Sequence, residues 1–423
     1  MLISISEALT RLNQVYPHLD VESVPLALAL GRTLAESITA PIDLPPFSRA
    51  AMDGYAVLSQ DTLSAPLDLA VSGQVAAGQI MDGMPPHTAV RIFTGACLPS
   101  PADSVIEQEA AAKSSQAGHV HLARPVAKGR NVMPKGHQYH RGDTVFLAGE
   151  RLQASHLGTL AGLGVPSVRV YRNLRVAIVQ TGNELRSSEA ALDPGMIYEV
   201  QAVWLPHLIS EWGGTVTEVL RVGDELGAIC QALENLAEVD LIITTGGISV
   251  GDFDFVGQAL QEVADPLFFR VAMHPGRAVA AARRGDQLIL SLSGNPSAAF
   301  ASWTALASPW WAAAQQGRLL DQRGRYPLLQ AYPKSTRETR LLRVLWTPQG
   351  LDANLSHSVD VLSDPWNSGY ALIPQGSSAL GQGTILTYWQ PAGLGGTAPR
   401  WQGTASHVFA FDPPAEFREA RDR

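Results

Sequence analysis

Three apolar runs of the chain pass directly into polar, glycine-bearing loops: IVQTGNEL (178–185), ITTGGISVGDFD (243–254) and LSLSGNPSA (290–298). The repetition matters more than any one loop, because in open parallel sheets ligands sit beyond the carboxyl ends of strands, where successive loops converge on one crevice. In the second loop Gly246, Gly247, Ser249 and Gly251 offer backbone N–H groups free of Cβ obstruction, which suits a phosphate or pyrophosphate; the same turn would also serve as a tight structural corner. Glu184, Asp252 and Asp254 lie in or just after these loops, and Asp224 follows the strand-like VLRVG. Carboxylates crowded beside a phosphate repel it unless a hard divalent cation lies between them, so the pattern points to a magnesium-type site. The stretch FFRVAMHPGR gathers Arg270, His274 and Arg277, positive charge that could hold an oxyanion or phosphate, or form a solvated basic face. In the first half, PPFSRAAMDGYAV puts Asp53–Gly54 at a turn below Arg49, and RIFTGACLPSPADSVIEQE puts Thr94–Gly95 after a strand and Asp103 in a second turn. Each of these two reads on its own as a hairpin corner.

The elements that must position these residues fall into distinct textures. Residues Ser4 to Tyr16 carry apolar positions at helical spacing, with Ser6 available as an early cap. The proline-rich PIDLPPF ends that texture, and short β-rich runs follow: 68–71, 89–93, 104–107 and 119–122. A helix near 154–163 and the run VPSVRVY come next and could pair with the 25–40 region across the insertion. Apolar strands at 174–180, 241–245 and 287–292 then alternate with helical stretches at 202–212, 225–237 and 255–262, the signature of a mostly parallel α/β sheet. From about 325 to 402 the chain returns to short β runs and turns, with a loose end after about Ser406. His119, His121, His137 and His140 read as surface histidines, and Trp303, Trp310 and Trp311 as core or a dimer face.

Bulk properties exclude several function classes. The 423 residues allow two to four domains, and 46% apolar against 17% charged content argues against global disorder. A net charge of −8 speaks against a nucleic-acid or anionic-membrane binder, so an anionic substrate would need a local basic site. No window approaches the roughly 20 unbroken apolar residues of a membrane span, and MLISISEALTRL lacks a signal peptide's charged and apolar regions, so a cytoplasmic protein is expected. Cys97 and Cys230 cannot form a disulfide framework and show no zinc spacing.

Together and in order, these segments resemble the molybdopterin molybdenumtransferases, called MoeA in bacteria and the gephyrin E domain in animals. AAMDGYAV is similar to the family's S-AMDGYA, IFTGACLPSPADSVIEQE to TGA-LP-GADAVV--E, VAIVQTGNEL to V---TG-EL, TTGGISVGDFD to GG-SVG--D and LSGNPSAAF to LPGNP-S. The resemblance implies a multidomain α/β plus β chain with an N-terminal helix (1–24) near the α/β domain and a discontinuous linker domain (25–46 and 143–171). It further implies an inserted β-rich domain (47–142), a central mostly parallel, MoaB-like α/β molybdopterin-binding domain (172–322), a C-terminal β barrel (323–406) and a tail (407–423).

It also implies a homodimer with its active site between protomers, and a reaction in which adenylylated molybdopterin and molybdate give molybdenum cofactor and AMP with Mg2+ or another divalent cation. The adenylyltransferase and apo-molybdoenzymes would be the partners, with no nucleic acid and no membrane. By this resemblance Glu184, Asp224 and Asp254 are metal ligands, and Asp53, Thr94, Glu184 and Asp254 catalytic groups. Gly246, Gly247, Ser249 and Gly251 cradle phosphates, Asn295 and Pro296 shape the opposite loop, and Asp53 and Thr94 come from the partner protomer. The chain has Arg270, His274 and Arg277 where the family carries lysines, Gly136–His137–Gln138 for Gly-Glu-Asp, Glu199–Val200–Gln201 for Asp-Ser-Asn, and Ser293 for a proline. If His274 must be cationic to hold molybdate, insertion should weaken above roughly pH 7. The alternatives to the transferase are a diverged carrier that binds molybdopterin or its adenylate without inserting metal, and a nucleotide-cleaving enzyme unrelated to molybdenum.

Overall fold

The computed structural model describes residues 2–248, 255–317, 322–353 and 369–390. At its centre lies a six-stranded sheet of β1 (Leu174–Thr181), β2 (Gly214–Val222), β3 (Leu241–Thr245), β4 (Asp265–Phe269), β5 (Ala280–Arg284) and β6 (Gln287–Leu292), in the order β2-β1-β3-β6-β5-β4. The first four strands in that order run parallel, and β5 turns back antiparallel between β6 and β4, so β4 again points the same way as β1, β3 and β6. Alternation within β1 explains the uninterrupted apolar run: Leu174, Val176 and Ile178 enter one core, Ala177 and Val179 the other. A strand buried on both faces has no polar side to show. β4 and β5 are not visible as strands in the sequence because DPLFF opens on Asp-Pro and AAARR has weak strand propensity; β5 is placed by burial between β6 and β4, and β4 by its pairing with β5 at the sheet edge.

The helices are α1 (Ile5–Leu12), α2 (Gln201–Glu211), α3 (Leu226–Asn235), α4 (Phe255–Val263) and α5 (Pro296–Ser302). α1 begins two residues earlier than Ser6 would have it, because Ser4 is extended and its hydroxyl accepts the Glu7 N–H at 3.0 Å. It also ends at Leu12, short of Tyr16, whose following proline disfavours helical backbone. α1, α2 and the segment from α5 through Trp311 cover one face, while α3 and α4 cover the other. Trp212, Trp303, Trp310 and Trp311 are fully buried, and the Trp310 indole donates to the Val15 carbonyl at 2.8 Å, fastening the N-terminal segment to the α/β core.

Before this unit, Val21–Pro25 pairs with Ser167–Tyr171, and Ile38–Thr39 with Thr144–Phe146. Between these pairings the chain forms a separate six-stranded sheet: Ser104–Glu107, Gly54–Val57, Thr88–Ile92, Leu67–Val75, His119–Leu122 and Ala112–Lys113, in that spatial order. After the α/β unit, Gln322–Pro327, Thr339–Thr347, Gly369–Ile373 and Ile385–Gln390 form a third sheet, joined by Met273–His274 pairing in parallel with Thr339–Arg340. The tail expected to be loose lies outside the described residues. Among those described, no helix is long and apolar enough to cross a membrane.

One close approach tests this packing. A Cβ on Gly214, at the start of β2, would fall 2.5 Å from the Trp311 ring and 2.7 Å from Ile209. Gly214→Ala should therefore destabilise the protein by about 1–3 kcal/mol, read as a lowered urea midpoint at unchanged slope; an unchanged midpoint would show that this core is loose.

Candidate functional site

The carboxyl ends of β1, β3 and β6 meet at backbone contact. A Cβ on Gly246 would lie 2.3 Å from the Thr181 carbonyl oxygen, and one on Gly247 2.8 Å from the Thr181 hydroxyl. A Cβ on Gly294 would lie 3.3 Å from the Gly246 Cα. Gly246 and Gly247 also take φ of +89° and +57°, which favour glycine. The Gly246 N–H donates to the Leu292 carbonyl at 3.3 Å, and Thr244 and Ser291 hydroxyls bond at 2.7 Å one residue below. The result is a floor made of main chain, with a buried Thr181 hydroxyl beneath it that has no partner among the described residues.

Two of the three expected acids flank this floor. Asp224, just past β2, accepts the Asn183 N–H through Oδ2 at 3.0 Å, and Glu184 Oε2 lies 2.9 Å from where a Gly182 Cβ would be. Both carboxylates thus border the 182–184 turn. Asp252 and Asp254, with Ser249 and Gly251, fall outside the described residues. Among the described residues no group of three or more His, Cys, Asp or Glu side chains is placed to hold a metal ion.

A second pair of residues ties the floor together. Glu199 Oε1 accepts from Gln180 Nε2 at 2.8 Å and from the Gln201 and Ala202 N–H groups at 2.5 and 2.9 Å, capping α2 while gripping the end of β1. Gln201 Nε2 donates to the Ser293 and Gly294 carbonyls at 3.2 and 2.8 Å, fixing the third loop. Sequence reading registered Glu199 and Gln201 only as departures from a family pattern. An acid just before a helical run is nevertheless a cap signal. Asn295 proves to be a cap as well: its side chain accepts the Ala298 N–H at 3.2 Å, with Pro296 in the first turn of α5.

At the other end of the same edge, past β4, lies a groove of about 560 Å³ lined by Leu2, Gly257, Gln258, Gln261, Phe269, Arg270 and Arg277. Arg270 sits at φ +67°, and the Ile3–Val271 bridge holds its segment in place. Arg277 ion-pairs with Glu338 of the C-terminal sheet, Nε to Oε2 at 3.2 Å. His274 is not part of the groove. Burial first, then Arg340 and Arg277, hold its imidazole below the ordinary value against the pull of Glu338. That shift disfavours the protonated ring, and the positive charge lining the groove is that of the two arginines. From β1 to β4 is four strand steps, roughly 19 Å at about 4.8 Å each, so the edge runs from an acidic end, across the glycine floor, to a basic groove.

In the first sheet Asp53 Oδ1 accepts the Thr94 N–H at 2.8 Å and the Thr94 hydroxyl at 2.7 Å. The Thr94 N–H, then its hydroxyl, then nearby Arg91 hold the Asp53 carboxyl below the usual carboxylate range. The two residues are joined to each other; among the described residues no hydrogen bond or ion pair joins them to the floor. The histidines do not gather: His121 pairs with Asp68 at 3.1 Å and His140 lies 3.7 Å from Asp43. Cys97 and Cys230 are free and half-buried, and burial with Glu262 nearby pushes the Cys230 thiol to about 11.

Residues 3–164 match the MoeA N-terminal region (domain I and II) family, and residues 177–313 a family described as a probable molybdopterin binding domain. The chain is 33% identical over 407 residues to the molybdopterin molybdenumtransferase of Bacillus subtilis, covering 91% of this chain and 93% of that one. It belongs to the molybdopterin molybdenumtransferase family. The family's protein from Staphylococcus epidermidis is 31% identical over 356 residues, 81% of this chain and 83% of its own. The molybdopterin biosynthesis MoeA protein of Pyrococcus horikoshii OT3 superposes with a TM-score of 0.78 at 26% identity, over 92% of this chain and 100% of that one. In this family member, then, the α/β unit and both β-rich regions belong to a shared multidomain architecture.

The lowered His274 value has a direct readout. Its ring should titrate below about 6.5 by NMR, and Arg340→Gln should raise that midpoint; a midpoint above 7 in the unsubstituted protein would contradict the burial described here.

Proposed function

We propose that this protein acts in molybdenum cofactor assembly, transferring molybdate into adenylylated molybdopterin and releasing AMP. The observation that carries the reading is the single carboxyl edge on which an acid pair, a glycine floor and a two-arginine groove follow one another. An elongated substrate with a diphosphate in its middle fits such an edge. Gly246 and Gly247, continued by Ser249 and Gly251, would receive the diphosphate on a main-chain surface that only glycine lets pack this closely against Thr181. Arg270 and Arg277 would hold molybdate, the anionic substrate, with Glu338 fixing Arg277.

Glu184 and Asp224, joined by Asp254, would hold Mg2+; a set of carboxylate oxygens is what a hard cation takes, and two of the three already border one turn. When bound, the cation would neutralise phosphate charge. Asp53 and Thr94 are assigned to the same reaction from the partner protomer of a homodimer, since within one protomer they face each other and not the floor. The partition into 1–24, 25–46 with 143–171, 47–142, 172–322, 323–406 as a β barrel and 407–423 belongs to this reading, as do a cytoplasmic setting and exchange with the adenylyltransferase and apo-molybdoenzymes.

Purified protein incubated with adenylylated molybdopterin, molybdate and Mg2+ should release AMP and reconstitute an apo-molybdoenzyme. Binding without AMP release would identify a carrier, and AMP release from unrelated nucleotides without reconstitution would identify a different enzyme. Glu184→Gln and Asp224→Asn should each lower the AMP rate by about 100-fold or more while leaving thermal unfolding nearly unchanged. Full activity in both variants would remove these acids from the mechanism.

A further inference from the structure

At one edge of the first six-stranded sheet three strands end side by side. Gly54–Val57 lies between Thr88–Ile92 and Ser104–Glu107, with Gly54 facing Ile92 on one side and Glu107 on the other. Antiparallel pairing therefore gathers the residues just beyond these ends, Asp53 before its strand and Phe93, Thr94 and Gln108 after theirs. Approach is closest at Gly54, where a Cβ would collide with the Ile106 carbonyl, so the turn that carries Asp53 sits flush against the neighbouring strand. Asp53 is exposed; its Oδ1 takes both Thr94 bonds, and among the described residues Oδ2 takes none.

Arg91 clasps this corner. Its register partner is Tyr55 and Phe93 follows two residues on, so the three side chains share a face. The guanidinium carbon stands 5.1 Å from the centre of the Tyr55 ring and 5.0 Å from that of Phe93. Held over two rings, the planar fork sends its nitrogens to separate acceptors: Nη1 donates to the Gly54 carbonyl at 3.0 Å, and Nη2 to Gln108 Oε1. Gln108 closes the circuit, its main-chain N–H donating to the Asp53 carbonyl at 3.0 Å. The two peptides that follow the Asp53 Cα are thus both tied down, and Thr94 fixes the carboxylate that they carry. Glu107, at the end of its strand, is paired with Arg130 at 2.9 Å, so Arg91 is the cation that acts on Asp53.

Ordering an arginine and a glutamine costs side-chain entropy that a solvated turn has no need to spend. We infer that Arg91 and Gln108 are positioning residues which, through the Asp53 and Gly54 peptides, hold Oδ2 of Asp53 exposed and fixed as the acceptor atom of this sheet edge, an inference that rests on the assignment of Asp53 to the reaction proposed above. A side chain placed in advance of the reaction needs such support, because a small misplacement of a reacting group costs rate.

Arg91→Lys separates charge from geometry, since it keeps the cation and loses the fork. Carboxyl NMR of the full chain with 13C-labelled aspartate, the Asp53 signal being assigned by its loss in Asp53→Asn, reads the positioning without any substrate. Asp53 should titrate below the usual carboxylate range in the unsubstituted protein, and its midpoint should rise in Arg91→Lys as the Thr94 bonds loosen. AMP release by the same variant should fall about 10- to 100-fold in kcat with KM within about twofold. A midpoint that does not move, even with a lowered melting temperature, means a merely structural arginine and overturns the proposal, as does a loss confined to KM. Should Arg91→Lys fail to fold, Gln108→Leu, at an exposed position, carries the same two readouts in the same direction. Full AMP release by Asp53→Asn would strike the underlying assignment of Asp53, and it is told apart from failure of the clasp because the titration needs no substrate.

Discussion

Everything at the candidate site follows from how closely three strand ends approach one another. The Thr181 carbonyl occupies the space in which residue 246 would carry a Cβ, and the Gly246 Cα would be in tight contact, at 3.3 Å, with a Cβ on residue 294. With no side chain between them, the loops after β1, β3 and β6 form a continuous main-chain surface. The acids and arginines derive their meaning from that surface. Glu184 and Asp224 border it because β1 and β2 are parallel neighbours whose ends coincide, and Arg270 lies on the same edge because two antiparallel steps restore the direction of β4.

The contacts that hold this arrangement are divided between core and caps. Trp212 and Trp303, at the C-terminal ends of α2 and α5, and the Trp310–Trp311 pair fill one side of the sheet, and α2 carries Gln201 to the third loop. Glu199 then links the end of β1 to the start of α2 with three hydrogen bonds to one oxygen. Substituting Glu199 and Gln201 for the shorter residues of the family pattern keeps these groups long enough to bridge elements. The two substitutions are thus accounted for as scaffold, which weakens the case for a diverged carrier. The chain's net charge of −8 makes the basic groove a local exception, and Glu338 keeps one of its two arginines from ranging freely.

Much of this was legible in the sequence, for identifiable reasons. Strands buried on both faces, such as 241–245 and 287–292, read as unbroken apolar runs, and the glycine loops after them are visible as departures from that texture. What could not be read depends on distance in space. Arg277 meets Glu338 61 residues away, and His274 is held below the ordinary imidazole value by burial first and then by Arg340, its register partner in the C-terminal sheet. The antiparallel edge was hidden by residues with weak strand propensity, and the cap at Ser4 by a competing serine two positions on. Asp53 and Thr94 were legible as a turn and a loop but not as a hydrogen-bonded pair across a sheet.

The central claim is that one crevice holds the diphosphate on the glycine floor with a cation between it and the acids. The most direct measurement is a crystal structure of the full chain grown with AMP and Mn2+. The account predicts one anomalous manganese peak coordinated by both Glu184 and Asp224, with the nucleotide phosphate over Gly246 and Gly247. Manganese bound elsewhere, or phosphate seated away from that floor, would contradict it.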